Sequence, residues 1–550
     1  MGVKRTISTL AAAVLLTTTF AQAAMADGTN AVSNQRIPLR QAADWLGAKV
    51  TWDAKNKAAS VTYGEQEWTV FLGKTDSKLN QQPLQLSNAA IMNDQQMLEV
   101  QLHDINKALN TQLNLKGEGT VDLTSSDAKT LASHIIKALV EGNAEEVQSY
   151  MSDTLKTSIP LSTLQLMQQQ LKAMYGNVDQ LLNQAETTNA IHNNVRLMYS
   201  GPLGAPFAID VRFNHAGQLD DMFFPTSLVD TYKAPDYDHP DRYAEEEVLI
   251  GDKTLGLPGT LTVPKGDGPF PVVVLVHGSG PNDRNETIGG GKTFRDLAVG
   301  LANEGIAVLR YDKRTYEHNL KSMAPTFTVQ EETTNDAIAA VEMLKSDQRF
   351  NPKQIYVLGH SQGGMLVPRI IEQDRNHDIA GALIFAGPSE PLEDVMLVQF
   401  QQGLERAKKA GAPQEVLAQY EAQIESWKQV LALLKDPQYS VDNIPPKFPT
   451  ANAVWWYDLR NYKGQEIAKN QTLPLFIAQG DNDVQVNASH LDGWKKGLAS
   501  RTNVEYKLYP KLNHLFVPSD QPSTGSEYML PGNVPSEVIT DVAKWVKSTK

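Results

Sequence analysis

The sequence predicts an α/β fold for its C-terminal half: a mostly parallel sheet with helices on both faces and a helical cap. Two small α+β modules precede it. Three observations carry this reading. From residue 243 onward, short apolar runs rich in β-branched residues, such as 272–276 and 306–311, alternate with helical periods. A Gly-x-Ser-x-Gly pentapeptide, Gly359 to Gly363, sits between one such run and a helical stretch. The chain, at 550 residues, is too long for one ordinary core.

Composition narrows the function. Hydrophobic residues make up 41% and charged residues 21%, the balance of a folded globular chain. A net charge of −13 argues against a general nucleic-acid binder, which needs a basic face to displace counterions from phosphates. There is no cysteine, which removes disulfides, thiolate nucleophiles, Cys-based zinc sites and Fe–S clusters together.

Residues 1–26 read as a signal peptide. Lys4 and Arg5 form a positive start, and Ile7 to Phe20 an apolar stretch diluted by Thr and Ser. Ala21-Gln22-Ala23 and Ala24-Met25-Ala26 offer cleavage after Ala23 or Ala26. The apolar run is too short and too rich in Thr to span a bilayer well, and no later stretch approaches ~20 apolar residues. The expectation is a secreted protein with no integral membrane segment after cleavage. Cell-envelope association would come through its N-terminal modules.

Residues 28–118 read as an α+β module. A short helix, Gln41 to Leu46, ends at Gly47. Strands are expected at Ala48 to Trp52, Ala58 to Tyr63 and Glu67 to Leu72. A degenerate second copy begins near Met97-Leu98-Glu99-Val100, with a helical stretch after it. Ile37-Pro38-Leu39-Arg40, Leu46 to Asp53 and Val61-Thr62-Tyr63-Gly64 resemble the repeat domain named after the N-terminal region of copper amine oxidases. That resemblance implies an accessory role. Copper chemistry is not expected, because a copper site wants several imidazoles and His103 is the only one in this span.

Residues 124–232 form the second α+β module. Ala128 to Val140 places Leu131, Ile135, Ile136, Leu139 and Val140 on one helical face, and Leu161 to Tyr175 is a second helix. Strands follow at Asn194 to Tyr199, Phe207 to Phe213 and Gln218 to Phe224. The module resembles a domain of uncharacterised role often found immediately before secreted hydrolases. His134, His192 and His215 are scattered through it and suggest no chemistry. Residues 233–242, rich in Pro and charge, read as a linker, with His239 solvated.

In residues 243–550 further strands are expected at Ile355 to Leu358, Gly381 to Phe385, Leu475 to Ile477 and Val504 to Tyr509. Helices are expected at Thr293 to Glu304, Thr333 to Lys345 and Ser536 to Lys547. Gly359-His360-Ser361-Gln362-Gly363 then lies between a strand and the helix Met365 to Glu372, the context of a nucleophile elbow. The turn lifts the Ser361 hydroxyl off the sheet, and side chains at 359 or 363 would collide with it.

A serine hydroxyl needs a base, and the base needs an acid to hold it. His514 follows the strand 504–509 and is the candidate base. His490 is its rival, in surroundings that read as a helix. His277 and His360 occupy positions read as structural, and His318 and His377 are expected in exposed loops. Asp483, after the strand at 475, is the candidate acid, with Asp481 the runner-up; a turn-forming role is the alternative for either. The order Ser361, Asp483, His514 is the order this fold requires. The oxyanion is expected to face the amides of Gln362 and Ser279, the latter in His277-Gly278-Ser279-Gly280-Pro281.

With these residues in place, 243–550 resembles the α/β-hydrolases of the serine-esterase and serine-aminopeptidase-like group, closest to bacterial short-chain carboxylesterases. The shared stretches are His277 to Arg284, Arg310-Tyr311-Asp312-Lys313-Arg314, Gly359 to Gly364, Gln479 to Val486 and Leu512 to Phe516. The resemblance implies hydrolysis of carboxylic esters without cofactor or metal. Asp283, Arg284, Asp312 and Arg314 are expected to form an ion-paired scaffold. Residues 390–470 interrupt the sheet with amphipathic helices, Glu393 to Lys409 and Pro413 to Leu434, and read as the cap. Trp455-Trp456-Tyr457 closes it. Trp455 and Trp456 are candidates for the substrate pocket, with packing between cap and core as the alternative.

Two other functions stay open on sequence. An exo-peptidase or amidase would use the same triad but want fixed carboxylates for the substrate amine. The cap offers Glu393, Asp394, Glu405 and Glu415. A binding protein of the cell envelope with a decayed hydrolase domain is opposed by the intact motifs.

Overall fold

The computed structural model describes residues 35–116, 120–121, 127–176, 178, 180–201, 205–225, 228 and 230–549. The expected signal peptide lies outside the described residues.

The first module holds a five-stranded antiparallel sheet running from Lys49–Asp53 to Gln82–Gln85, and a three-stranded one in which Arg36–Pro38 pairs with Leu98–Gln101. The half-repeat is visible in this pair. Ile37 sits opposite Val100, and each strand runs directly into an eight-residue helix, Leu39–Leu46 or Leu102–Leu109. Both helices stop on a left-handed residue, Gly47 (φ 67°) and Asn110 (φ 53°), which turns the chain and satisfies end carbonyls.

The second module places helices Ala128–Glu141, Ala144–Tyr150, Asp153–Ser158 and Leu161–Tyr175 before a four-stranded antiparallel sheet. Asp127 caps the first helix by accepting the Thr130 N–H. The edge strand Leu181–Thr188 was not expected. Its sequence is polar and its side chains are mostly exposed, so it carries no apolar alternation. The two modules share one hydrophobic cluster. Val61, Trp68 and Val100 of the first belong to it with Ile135, Leu139, Val195 and Ile209 of the second, and so does Leu320 from beyond residue 243.

The linker 233–242 is tied down at several points. Tyr237 Oη donates to the Val534 carbonyl (2.7 Å), Asn303 Nδ2 to the Tyr237 carbonyl (2.7 Å) and Asn533 Nδ2 to the Lys233 carbonyl (2.8 Å). Just before it, Tyr232 Oη donates to Asp296 (2.6 Å).

The C-terminal module is built on eight strands: β1 Tyr243–Ile250, β2 Leu257–Pro264, β3 Phe270–Val276, β4 Ala307–Tyr311, β5 Phe350–His360, β6 Ile379–Phe385, β7 Leu475–Gly480 and β8 Val504–Tyr509. Their order is β1-β2-β4-β3-β5-β6-β7-β8. β1 and β2 pair antiparallel, and β3 through β8 are parallel. The central strands are buried on both faces, by helices Thr293–Asn303 and Ser536–Ser548 on one side and Asn335–Lys345 and Gln362–Gln373 on the other. β1 was missed because three consecutive glutamates, Glu245 to Glu247, hide its apolar face. The cap lies between β6 and β7. Its long helices, Leu392–Lys409 and Gln414–Lys435, pack around Trp427, Val430, Leu434 and Tyr457.

Candidate active site

The site gathers where β3, β5, β6, β7 and β8 end. Ser361 stands between β5 and the helix Gln362–Gln373 with φ 52° and ψ −118°, a strained conformation for a residue with a side chain. The surroundings enforce it: the Ser361 N–H donates to the Phe385 carbonyl (2.8 Å). A Cβ at Gly359 would come 2.3 Å from the Gly363 carbonyl oxygen, and one at Gly363 would come 2.3 Å from that of Val276. Both glycines are therefore steric requirements of the elbow.

His514 Nδ1 lies 2.7 Å from Asp483 Oδ2, and both side chains are buried. Asp483 also shapes its loop, because Oδ1 accepts the N–H groups of Gln485 (2.7 Å) and Val486 (2.8 Å). Asp483 thus turns its loop with one oxygen and meets the imidazole with the other. Asp481 is exposed and accepts the Lys511 N–H instead. His490 lies on the helix Ser489–Gly497, where Nδ1 accepts the Ser389 N–H (3.1 Å).

Ser361 and His514 line one cavity of about 190 Å³ together with Ser279, Ile288, Leu392 and Met396. Leu392 and Met396 come from the first cap helix, so the cap roofs the cavity. The Gly278 N–H is already committed to Glu286 Oε1 (2.8 Å), which leaves Ser279 as the next amide of the loop. Gln362 is the first residue of its helix, where N–H groups have no intrahelical partner.

Trp455 and Trp456, the pocket candidates, are not among the residues that line this cavity. Trp455 packs beside Met365, Leu366 and Leu459, and its indole N–H donates to Glu332. Trp456 packs edge-on against Trp427 at 5.0 Å between ring centroids. Their large apolar rings go to the contact between cap and core. His318, expected in an exposed loop, is buried instead, with Nε2 3.0 Å from the Gly256 carbonyl; burial lowers its pKa to about 3. His277 is also buried, which brings it to about 4 and keeps it neutral.

Three of the four expected scaffold charges, Arg284, Asp312 and Arg314, pair as ions, whereas Asp283 caps its own loop. Arg284 binds Asp312 (2.8 Å) and Glu247 (2.6 Å), Arg314 binds Asp336 (2.5 Å), and Asp283 accepts the N–H groups of Asn285 and Thr287.

Three residues beside the site escaped the sequence reading. Glu286 Oε2 faces His360 Nδ1 at 3.0 Å, and His360 Nε2 donates to the His514 carbonyl (2.8 Å). Burial opposes the charge on His360, yet Glu286 holds its pKa above the ordinary value. This pair fixes the backbone of His514 from behind. The others, Lys313 and Glu332, form a buried ion pair at 2.5 Å. Lys313 lies between Asp312 and Arg314, two charges of the expected scaffold, and has no motif of its own. Glu332 stands one residue before the expected helix Thr333 to Lys345 and belongs to no motif. Among the described residues no group of three or more His, Asp or Glu could hold a metal ion, and no helix is long and apolar enough to cross a membrane.

Comparison with known proteins identifies the family of the chain. The family model described as serine aminopeptidase, S33, matches residues 268–520, and that of the copper amine oxidase N-terminal domain matches residues 22–123. Esterase EstD of Thermotoga maritima is 34% identical over 414 residues, covering 75% of this chain and 93% of the relative. That span is longer than 243–550, so the likeness reaches into the preceding modules. Two solved structures are similar at 16% identity and a TM-score of 0.36. The Pyrococcus furiosus esterase Pf2001 match covers 59% of this chain and 97% of that one; for Est1E from Butyrivibrio proteoclasticus the shares are 55% and 99%. The chain belongs to the α/β-hydrolase family of carboxylic ester hydrolases that includes EstD, and carries a domain of the copper amine oxidase N-terminal type in front.

Proposed function

We propose that this serine ester hydrolase works through Ser361, His514 and Asp483 and prefers short acyl chains. The observation that carries the reading is the 2.7 Å contact of His514 Nδ1 with Asp483, in a cavity that Ser361 shares. With Nδ1 occupied, Nε2 of His514 is left to serve the serine. Ser361 Oγ attacks the acyl carbon and gives its proton to Nε2. The tetrahedral oxyanion faces the amides of Ser279 and Gln362. Collapse breaks the ester bond, and the leaving alcohol takes the proton back from His514. Water, activated by the same imidazole, then releases the acid and restores Ser361.

Two features support a small acyl group. At about 190 Å³ the cavity is smaller than the ~300–1,000 Å³ of typical small-molecule sites. Its wall includes Ile288, Leu392, Met396 and Val486, all apolar. An amine-binding carboxylate is less well supported. Glu393 is buried against Lys435 and the Asn461 N–H, and Asp394 also pairs with Lys435. The carboxylate that does line the cavity, Glu286, is taken by Gly278 and His360.

The test is hydrolysis of p-nitrophenyl esters from acetate to palmitate by wild type and Ser361→Ala. Serine-dependent turnover that peaks at short chains is expected. Turnover that survives the substitution would remove Ser361 from the mechanism. A peak at long chains would refute the acyl preference alone.

The leader of residues 1–26 supports export, and the N-terminal modules are the parts available for contact with the envelope. The mature N-terminus, read from protein in the culture medium, is expected at Ala24 or Asp27.

A further inference from the structure

Lys313 and Glu332 sit beneath the proposed oxyanion site, and each reaches one half of it. Lys313 is 2% exposed and Glu332 5%. Lys313 Nζ donates to the Gly278 carbonyl at 2.8 Å and to Glu332 Oε1 at 2.5 Å. The Gly278 carbonyl and the Ser279 N–H belong to the same peptide group. A cation bound to one end of a peptide fixes its plane and draws electron density toward the carbonyl, which makes the N–H at the other end a stronger donor. On the other carboxylate oxygen, Glu332 receives Gln362 Nε2 (3.4 Å) and the Trp455 indole N–H. Gln362 supplies the second proposed donor from its backbone.

The same ion pair therefore touches both donor residues and the cap. Its location is also unusual, because Glu332 lies in a π-helical turn, Gln330–Thr334, that opens the helix Asn335–Lys345. Such turns interrupt the regular ladder and recur at functional sites. A buried ion pair adds little to stability over an apolar pair of equal size, so stability alone does not account for one here.

We propose that Lys313 and Glu332 are positioning residues for the oxyanion site: Lys313 orients and polarises the Gly278–Ser279 peptide, and Glu332 anchors Lys313, Gln362 and Trp455 around it. The inference rests on the reading of Ser279 and Gln362 as oxyanion donors. Neither side chain touches the substrate. Their effect is to strengthen binding of the transition state over that of the ester.

The experiment compares wild type, K313M and the double variant K313M/E332Q. K313M leaves the Glu332 charge buried without its partner, which risks misfolding. The double variant is neutral, and its introduced amide oxygen still accepts from Trp455. Thermal unfolding identifies which variants fold. For a folded variant, kcat on p-nitrophenyl acetate is expected to fall at least ~10-fold, below the ~100-fold or more of losing a donor outright. KM should stay within about threefold, the mark of an interaction made mainly in the transition state. Affinity for a trifluoromethyl ketone, which forms a tetrahedral oxyanion on serine, should fall by the same factor as kcat. A merely structural pair would leave that ratio of ketone to substrate affinity unmoved.

Unchanged kcat in the double variant, or lowered kcat with full ketone affinity, would overturn the proposal. Labelling of wild type and Ser361→Ala with a fluorophosphonate separates the two levels. Wild type that does not label in a serine-dependent way overturns the Ser361 reading itself. Normal labelling with unaltered ketone binding overturns only the role of Lys313 and Glu332.

Discussion

His192 Nδ1 of the second module lies 2.7 Å from Glu317 Oε1 of the catalytic module. Its other nitrogen is 2.9 Å from Asp220, which also accepts from Lys321 Nζ (2.6 Å). The junction between the modules is thus a buried cluster of alternating charges. Beside it Arg212 donates to the Glu317 carbonyl (2.9 Å), with its guanidinium over the rings of Phe223 and Tyr316.

Breaking this cluster on one side is expected to be costly. His192→Ala leaves two buried carboxylates short of a partner and should lower unfolding free energy by about 3 kcal/mol, read from urea denaturation. Removal of residues 1–235 strips the partners of Glu317 and Lys321 and exposes Leu320. The shortened chain is expected to aggregate or unfold at a lower temperature, so the modules stabilise the enzyme. A truncated chain with wild-type Tm would make them dispensable.

The junction should also respond to pH. Burial pushes the Asp221 carboxyl up to about 7 from an ordinary 3.8, against the pull of Arg212, His192 and Lys321. Between those values the folded chain holds a proton that the unfolded chain has lost, so this group destabilises the fold progressively as pH rises from about 4 to about 7. The buried neutral His277 and His318 act with the opposite sign, so the test is a difference between proteins. Asp221→Asn should raise Tm relative to wild type at pH 8 and much less at pH 5. An equal difference at both pH values would show that Asp221 is ionised throughout.

The acid of the proposed triad can be separated from its neighbour. Asp483→Asn keeps the side-chain shape but cannot hold the imidazolium or enforce its tautomer. It is expected to lower kcat about 10⁴-fold. Asp481→Asn, which changes an exposed carboxylate, should stay within about twofold of wild type, as surface substitutions usually do. Steady-state kinetics on one p-nitrophenyl ester settles both.

Cavity size should set chain length. Met396→Ala opens the roof of the cavity that Ser361 lines, and is expected to move the preferred p-nitrophenyl ester to longer chains. An unchanged optimum would place the acyl group elsewhere.

The elbow glycines give a steric test. Gly363→Ala drives a methyl into the Val276 carbonyl, 2.3 Å away, and is expected to lower both Tm and activity sharply. At Gly280, with φ +93° and open space around it, the same change carries only the backbone strain of about 1 kcal/mol and should leave a folded enzyme.

Residues whose chemistry repeats along the chain were legible in the sequence. The buried strands announced themselves as apolar runs, and Ser361 by its glycines. His514 and Asp483, which the structure brings into contact, were candidates because each follows its own strand. What escaped has no period or local motif. Glu286, Lys313 and Glu332 meet the site only after loops of different strands fold over one another, and their neighbours in sequence are ordinary charged residues. The single cluster shared by the two N-terminal modules was equally hidden, because an amphipathic face does not name what it will cover. Trp455 and Trp456 show the converse: an aromatic pair near a site is conspicuous in sequence, and only packing reveals that it does not line the cavity.

The place of Leu320 in the N-terminal core has a consequence for synthesis. A chain made from its N-terminus presents residues 35–225 about a hundred residues before Leu320 follows, and the hydrophobic cluster of the early part stays open at that spot until then. Likewise, Tyr237 waits for the Val534 carbonyl, near the very end of translation. The earliest-made part of the polypeptide is thus completed by later ones, and its core closes in full only once residue 320 has been made.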